Sequence, residues 1–109
     1  RLTTNDPAGP CGAVTDDAIV TVDLAPIADA GPATATLCAG TPRSFTGASI
    51  SGSATTGTWS IFSSPVGGNG VLSDTNPTAT PAAVTFNATV TGSYVLRLTT
   101  NDPGGACPV

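Results

Sequence analysis

The sequence predicts an all-β protein built as a β-sandwich, and three observations support this fold class. Apolar and polar residues alternate with a period of two in several short segments, as in strands that bury one face. Clusters of Gly, Pro, Asn and Ser separate these segments at intervals of about 8 to 15 residues, a spacing typical of sandwich turns. No segment carries the apolar stripe of an amphipathic helix.

Three segments show the alternation most clearly, and each predicts which side chains point inward. The predicted inward residues are Val20, Val22 and Leu24 in segment 18–24; Val84, Phe86, Ala88 and Val90 in segment 82–90; and Tyr94, Leu96 and Leu98 in segment 92–102. Further strands are predicted at 33–38, 43–50, 57–62 and 71–73.

A long repeat indicates how the strands are grouped. The heptapeptide RLTTNDP occupies residues 1–7 and returns at 97–103, an offset of 96 residues that also places Cys11 on Cys107. This period has the size of one sandwich domain. We therefore expect residues 1–24 to be the last two strands of a preceding repeat, 25–32 the inter-repeat linker, and 33–109 a repeat lacking its final strand. An open sandwich exposes an unpaired edge, so continuation of the chain or a neighbouring subunit donating its residues 14–24 should supply that strand.

Several motifs point to a known group of proteins. ADAGP, TLCAG, SFTGAS, GTWS and VTGSYVLRLTTNDP occur in this order from residue 28 onward. The chain in this respect resembles the PKD-like or Ig-like tandem repeats of very large secreted surface proteins in Bacteroidetes-type bacteria. The resemblance implies an immunoglobulin-like (PKD-like) β-sandwich, an extracellular or cell-surface location, and a spacer or adhesin array without catalytic residues.

Aromatic residues are candidates either for the core or for stacking on sugar rings. The chain has one Trp, one Tyr and three Phe, which is too few for a sugar-binding platform. Trp59 lies mid-strand where an immunoglobulin-type sandwich puts its core Trp, and Tyr94 fits a tyrosine corner. We predict Trp59, Tyr94, Phe45 and Phe86 as core residues.

The cysteines make an even set once the repeat is considered. Because Cys11 is the counterpart of Cys107 in the preceding repeat, each repeat owns two cysteines, and an even number in a secreted β-protein predicts a disulfide. Two pairings are open. We favour Cys38 with Cys107 inside one repeat, and the alternative is Cys11 with Cys38 across the linker.

Metal binding and glycosylation are weaker hypotheses. Oxygen ligands near the linker could converge on Ca²⁺, namely Asn5, Asp6, Asp16, Asp17 and Asp29. Ordinary turn chemistry accounts for the same residues, so we predict no metal and no cofactor. The tripeptide Asn87-Ala88-Thr89 matches an N-glycosylation acceptor, and the alternation predicts that Asn87 faces outward.

Composition argues against several functions. The net charge is −4 and the three Arg residues form no basic cluster, which disfavours nucleic acid and anionic membranes as partners. No apolar run approaches the about 20 residues of a membrane span. There is no His or Lys to activate a Ser or Thr nucleophile, so we expect no enzyme.

Two function classes remain. The first is a structural repeat of an extracellular filament, stalk or giant adhesin, acting as a rigid spacer through end-to-end stacking, with neighbouring copies of the same repeat as partners. The alternative is an adhesive or carbohydrate-binding module that uses loops 63–70 and 73–81 to recognise cell-surface glycans.

Overall fold

The chain is an all-β protein whose strands pair antiparallel throughout. The structure, a computed structural model, describes residues 1–6, 8–105 and 107. Their strands are β1 (Leu2–Thr3), β2 (Thr15–Asp16), β3 (Pro26–Asp29), β4 (Arg43–Ser44), β5 (Ser49–Gly52), β6 (Gly57–Ser63), β7 (Val71–Leu72), β8 (Thr85–Asn87) and β9 (Val95–Thr100). A single 3-10 turn at Pro81–Ala83 precedes β8.

The strands of the described residues form four small sheets. β1 pairs with β2, β3 with β5, and β6 with β9, while β8 lies between β4 and β7. The β6–β9 ladder is the longest, running from Gly57 opposite Thr100 to Ser63 opposite Val95 with a bulge between Ile61 and Ser63. This arrangement is compatible with a β-sandwich.

The buried core centres on the single tryptophan. Trp59 is 2% exposed and packs with the buried residues Ala48, Val84 and Leu98. Its ring stacks on Phe45 with 3.9 Å between ring centroids, and its Nε1 donates a hydrogen bond to the Pro81 carbonyl at 3.0 Å. The indole therefore joins β6 to the 3-10 turn as well as filling the core.

Alternation locates the central strands correctly. Phe86 in β8 and Leu98 in β9 are buried, as are Val84 and Ala88 beside β8, and these residues keep the predicted parity. Segment 43–50 divides into β4 and β5, because a turn intervenes in which Ala48 N–H donates to the Phe45 carbonyl and Gly47 has φ of 91°. A positive φ suits glycine, which has no Cβ to clash.

Three segments differ from the expectation. Segments 18–24 and 33–38 form no strand, and the predicted linker 25–32 contains β3. Alternation shows that a segment could bury one face, but a strand also requires a neighbouring backbone for its hydrogen bonds. β3 has that neighbour in β5, whereas 18–24 and 33–38 belong to none of the four described sheets.

The molecule is elongated, with principal extents of 85 × 24 × 19 Å. The described residues from 1 to 25 are all exposed to solvent, whereas the buried residues lie between Ala48 and Leu98. We call residues 1–24 the arm and residues 25–105 the body. The arm carries the β1–β2 hairpin and joins the body at β3.

Candidate assembly groove

An open groove of about 660 Å³ runs along the body. Its lining includes segment 30–37 and Ala39, together with Tyr94, which immediately precedes β9, and Leu96 within β9. At the base of the groove lie the half-buried Phe45 and the buried residues Trp59, Phe86 and Ala88. The groove therefore leads from solvent down to the same aromatic residues that form the core.

This lining follows from the strand pairing. β9 pairs with β6 along one edge, and among the described residues it has no strand partner on the other edge. Segment 33–38, which faces this groove, is likewise outside every described sheet. Unpaired backbone N–H and C=O groups at such an edge are a template for an additional strand.

The Tyr94 hydroxyl makes two hydrogen bonds, one as a donor and one as an acceptor, which hold the side chain in place beside the groove. The hydroxyl donates to the Val90 carbonyl, four residues earlier, at 3.0 Å and accepts from the Asn69 backbone N–H at 3.2 Å. Its ring lies 5.2 Å from that of Phe86 at an interplanar angle of 60°. A bond from the hydroxyl to backbone a few residues upstream is the arrangement of a tyrosine corner.

Asn69 ties loop 63–70 to residues beside the same groove. Its Oδ1 accepts from the backbone N–H groups of Thr89 and Val90, both at 3.0 Å, and its Nδ2 donates to Thr89 Oγ1 at 2.6 Å. Sequence reasoning missed this role, since an Asn between glycines indicates only a turn and carries no signal of contacts twenty residues away.

The other predicted recognition loop is also held by local bonds. In loop 73–81, the Asp74 carboxylate accepts from the Asn76 backbone at 2.8 Å and from its side chain at 2.9 Å, which lowers the pKa of Asp74. Thr78 exchanges two backbone hydrogen bonds with Gly57. Of the aromatic residues, Phe62 at the end of β6 is the exposed one, and the Arg97 guanidinium lies 3.6 Å above its ring.

Arm segment 18–24 exposes a row of large apolar side chains. Ile19, Val20, Val22 and Leu24 are 95%, 82%, 90% and 72% exposed. None of these residues lines the groove of the same molecule. A run of exposed large apolar side chains is a candidate interaction surface.

The hairpin that precedes this segment is held by a charged pair. Arg1 Nε donates to Asp17 Oδ1 at 2.8 Å and Arg1 Nη2 donates to Asp17 Oδ2 at 3.0 Å, a two-pronged contact on the surface. The contact with Arg1 lowers the pKa of the Asp17 carboxyl and raises the pKa of Arg1.

All three cysteines are free thiols in the structure, so the predicted bond between Cys38 and Cys107 is not present, nor is one between Cys11 and Cys38. Cys38 lies in a turn in which the Gly40 N–H donates to the carbonyl of Ala88, one residue after β8. Cys107 lies beyond the end of β9, where its thiol donates to the Asp23 carbonyl at 3.5 Å.

The candidate calcium ligands have local partners instead of a common centre. Asp29 accepts from the Gly31 N–H, Asp16 from the Asp17 N–H, and Asp17 from Arg1, while Asn5 and Asp6 are exposed in the hairpin loop. Within the described residues, no group of three or more His, Cys, Asp or Glu is placed to hold a metal ion. The absence of a metal stays a prediction, and calcium at these residues stays the weaker hypothesis.

The candidate glycosylation site is less open than the alternation predicts. Asn87 is half-buried in the central strand β8, and its Oδ1 is buried without a hydrogen-bond partner in the part of the chain that the structure describes. Modification of Asn87 also stays a prediction.

Comparison with protein-family models, with curated proteins and with solved structures finds no match to this chain. In the described part of the chain, no helix has the length and apolar character needed to cross a bilayer.

Proposed function

We propose that this protein is a structural repeat unit of an extracellular surface filament, stalk or giant adhesin, in which immunoglobulin-like (PKD-like) β-sandwiches stack end to end as rigid spacers. The observation that carries the proposal is the presence, on one elongated chain, of an open apolar groove and a separate exposed apolar segment. Two different surfaces that complement each other make head-to-tail contacts, which produce open linear polymers when the rotation does not close a ring.

The packing of the body supports the sandwich. A buried Trp at the centre of a strand and a Tyr hydroxyl bonded to backbone four residues upstream are features of the immunoglobulin fold. In that fold, the strand carrying the tyrosine corner has the last strand of the domain as its neighbour. β9 has the tyrosine corner at its start and an open edge beside it, so the groove corresponds to the place of a last strand.

Rigidity is supported by the loops. Loop 63–70 is bonded to residues 89 and 90 through Asn69, and loop 73–81 is bonded to β6 through Thr78. Loops that are hydrogen-bonded to the strands limit bending within the body, as a rigid spacer requires. The sparse charge of the chain, with three Arg and seven Asp, fits contact between repeats through packing and backbone pairing instead of ionic attraction.

Negative-stain electron microscopy combined with sedimentation velocity tests this proposal. β6 has 7 residues and β9 has 6, so their ladder is about 20 to 24 Å long, and the loops at both ends should extend one body to an axial step of about 35 to 45 Å. We expect linear filaments one body thick whose length grows with protein concentration. A monomer at all concentrations, or a closed dimer, would contradict the proposal. A monomer that binds glycans on an array would instead favour the adhesive module predicted from loops 63–70 and 73–81.

A further inference from the structure

We propose that the groove binds arm segment 18–24 of a second copy of the chain as an added strand, antiparallel to β9, in the register that the arm's own hairpin displays. This inference rests on the proposed function, because it names the partner that occupies the groove in the assembly. It also specifies which side chains of the partner enter the core.

The hairpin in the arm shows how this segment pairs. β1 and β2 are antiparallel, with Leu2 opposite Asp16 and Thr3 opposite Thr15. The sequence of β1 is repeated in β9, since residues 1–7 and 97–103 are identical. A chain segment that pairs with β1 therefore meets the same sequence at the open edge of β9.

Transposing the pairing by the repeat offset of 96 fixes the register. Leu98 of the acceptor then faces Asp16 of the donor, and the continuing ladder places Leu96 opposite Ala18 and Tyr94 opposite Val20. Directly opposed residues of an antiparallel pair lie on the same face of the sheet. Val22 and Leu24 lie opposite Gly92 and Val90, which precede β9 and also line the groove. Because Tyr94 and Leu96 line the groove, Val20, Val22 and Leu24 of the donor point into it, while Ile19 and Thr21 point away. Asp16 shares the inward face but lies opposite Leu98, which does not line the groove.

Two further contacts agree with this register. It places Asp17 of the donor opposite Arg97 of the acceptor, which reproduces the charged pair that Arg1 and Asp17 make in the hairpin. It also brings Val20, Val22 and Leu24, which are 72% or more exposed in the single chain, against a groove whose half-buried lining includes Phe45, Tyr94 and Leu96. Removing such side chains from water is the main favourable contribution to association.

β1 must leave the donor when β9 of the acceptor arrives, because both strands occupy the same edge of β2. The exchange replaces Leu2 and Thr3 with the identical residues Leu98 and Thr99, so the backbone pairing lost in the hairpin is regained between the chains. The net gain is then the burial of segment 18–24. Such a strand exchange is a form of domain swapping that continues from chain to chain.

The test uses a donor-disabled full chain, Val22→Asp, as the acceptor and a synthetic peptide of residues 14–24, VTDDAIVTVDL, as the probe. The acceptor keeps its groove but carries a charge on the inward face of its own arm. Trp59 is the only tryptophan, it lines the groove, and the peptide contains none, so tryptophan fluorescence reports on binding. We expect a saturable change in fluorescence. Its absence would overturn the inference.

Peptide variants test the register. Val20→Asp and Val22→Asp each place a carboxylate in the apolar groove and should weaken binding at least about ten-fold, since a charge buried without a partner is strongly unfavourable. The matched outward changes Ile19→Asp and Thr21→Asp should keep the affinity within about three-fold, because surface substitutions have small effects. Equal weakening by inward and outward changes would overturn the register.

Filament formation by the full chain separates this inference from the proposed function. Filaments that form equally well with Val22→Asp and Thr21→Asp chains would leave the structural role standing and overturn strand donation. Peptide binding with the expected register, in a protein that never forms filaments, would leave strand donation standing and contradict the filament.

Discussion

Replacing Trp59 with Phe is the sharpest test of the core beneath the groove. The indole Nε1 donates to the Pro81 carbonyl at 3.0 Å, and this carbonyl also accepts a longer bond from the Val84 N–H at 3.4 Å. The carbonyl therefore keeps one donor in the variant, and loss of the indole bond should cost about 1 kcal/mol. The atoms lost from a site that is 2% exposed add about 1 to 2 kcal/mol.

The expected loss of about 2 to 3 kcal/mol is a large share of the roughly 5 to 15 kcal/mol that stabilises a domain. Urea unfolding followed by far-ultraviolet circular dichroism measures it without requiring the tryptophan. Phe62→Leu is the matched control, since Phe62 is 57% exposed and its contact with Arg97 is worth about 1 kcal/mol or less. If Trp59→Phe destabilises no more than Phe62→Leu, Trp59 does not hold the core together as described.

Three other predictions concern packing, pH and covalent assembly. Gly70→Ala would place a Cβ 2.6 Å from Phe86 Cε2, so the free energy of unfolding of this variant should be about 1 to 3 kcal/mol lower than that of the unchanged protein. Gly12 has open space around it, so the control Gly12→Ala should leave the unfolding midpoint unchanged. The Arg1 contact lowers the pKa of Asp17, so this contact stabilises the hairpin above pH 3.8, the ordinary pKa of aspartate, and is lost as pH falls through the lowered pKa. Cross-strand nuclear Overhauser effects between β1 and β2 should weaken over that pH range. The same weakening in the Asp17→Asn variant would contradict this cause. The proposed register puts Asp23 of the donor at the end of the acceptor's groove where the acceptor's Cys38 lies. Within one chain, the Cys107 thiol contacts the Asp23 carbonyl. Glutathione disulfide should therefore oxidise Cys38 of the acceptor and Cys107 of the donor to a disulfide, and is itself reduced to two glutathione thiols. A ladder on non-reducing gels should disappear in Cys38→Ser and persist in Cys11→Ser; a ladder that persists in Cys38→Ser would rule out this pairing.

The sequence predicted those parts of the fold in which local pattern and tertiary partner agree. Alternation placed Phe86 and Leu98 on the buried face, and the structure buries both. The same pattern in segment 18–24 predicted a strand that the single chain does not form. The difference is that alternation describes a side-chain face, whereas a strand also depends on a backbone neighbour that the sequence pattern does not specify.

The groove could be predicted only in outline. The repeat implied a sandwich that needs one more strand, but not that Tyr94 and segment 30–37 would line the same groove, nor that Asn69 would bond to Thr89 beside it. These contacts join residues twenty or more positions apart, and their polar groups have no periodicity to detect. The three cysteines are free thiols in the single chain, and the pairing of Cys38 with Cys107 stays a prediction.

By itself, the sequence determined the all-β class, which alternate residues of the central strands are buried, and that β1 and β9 share the same sequence. These features depend on side-chain periodicity and on exact repetition. Only the tertiary structure decided which edge stays open, which apolar segment stays exposed and how the two can be brought into register. Those features depend on where backbone partners lie in space, and the hairpin of the arm shows the pairing that the groove can accept.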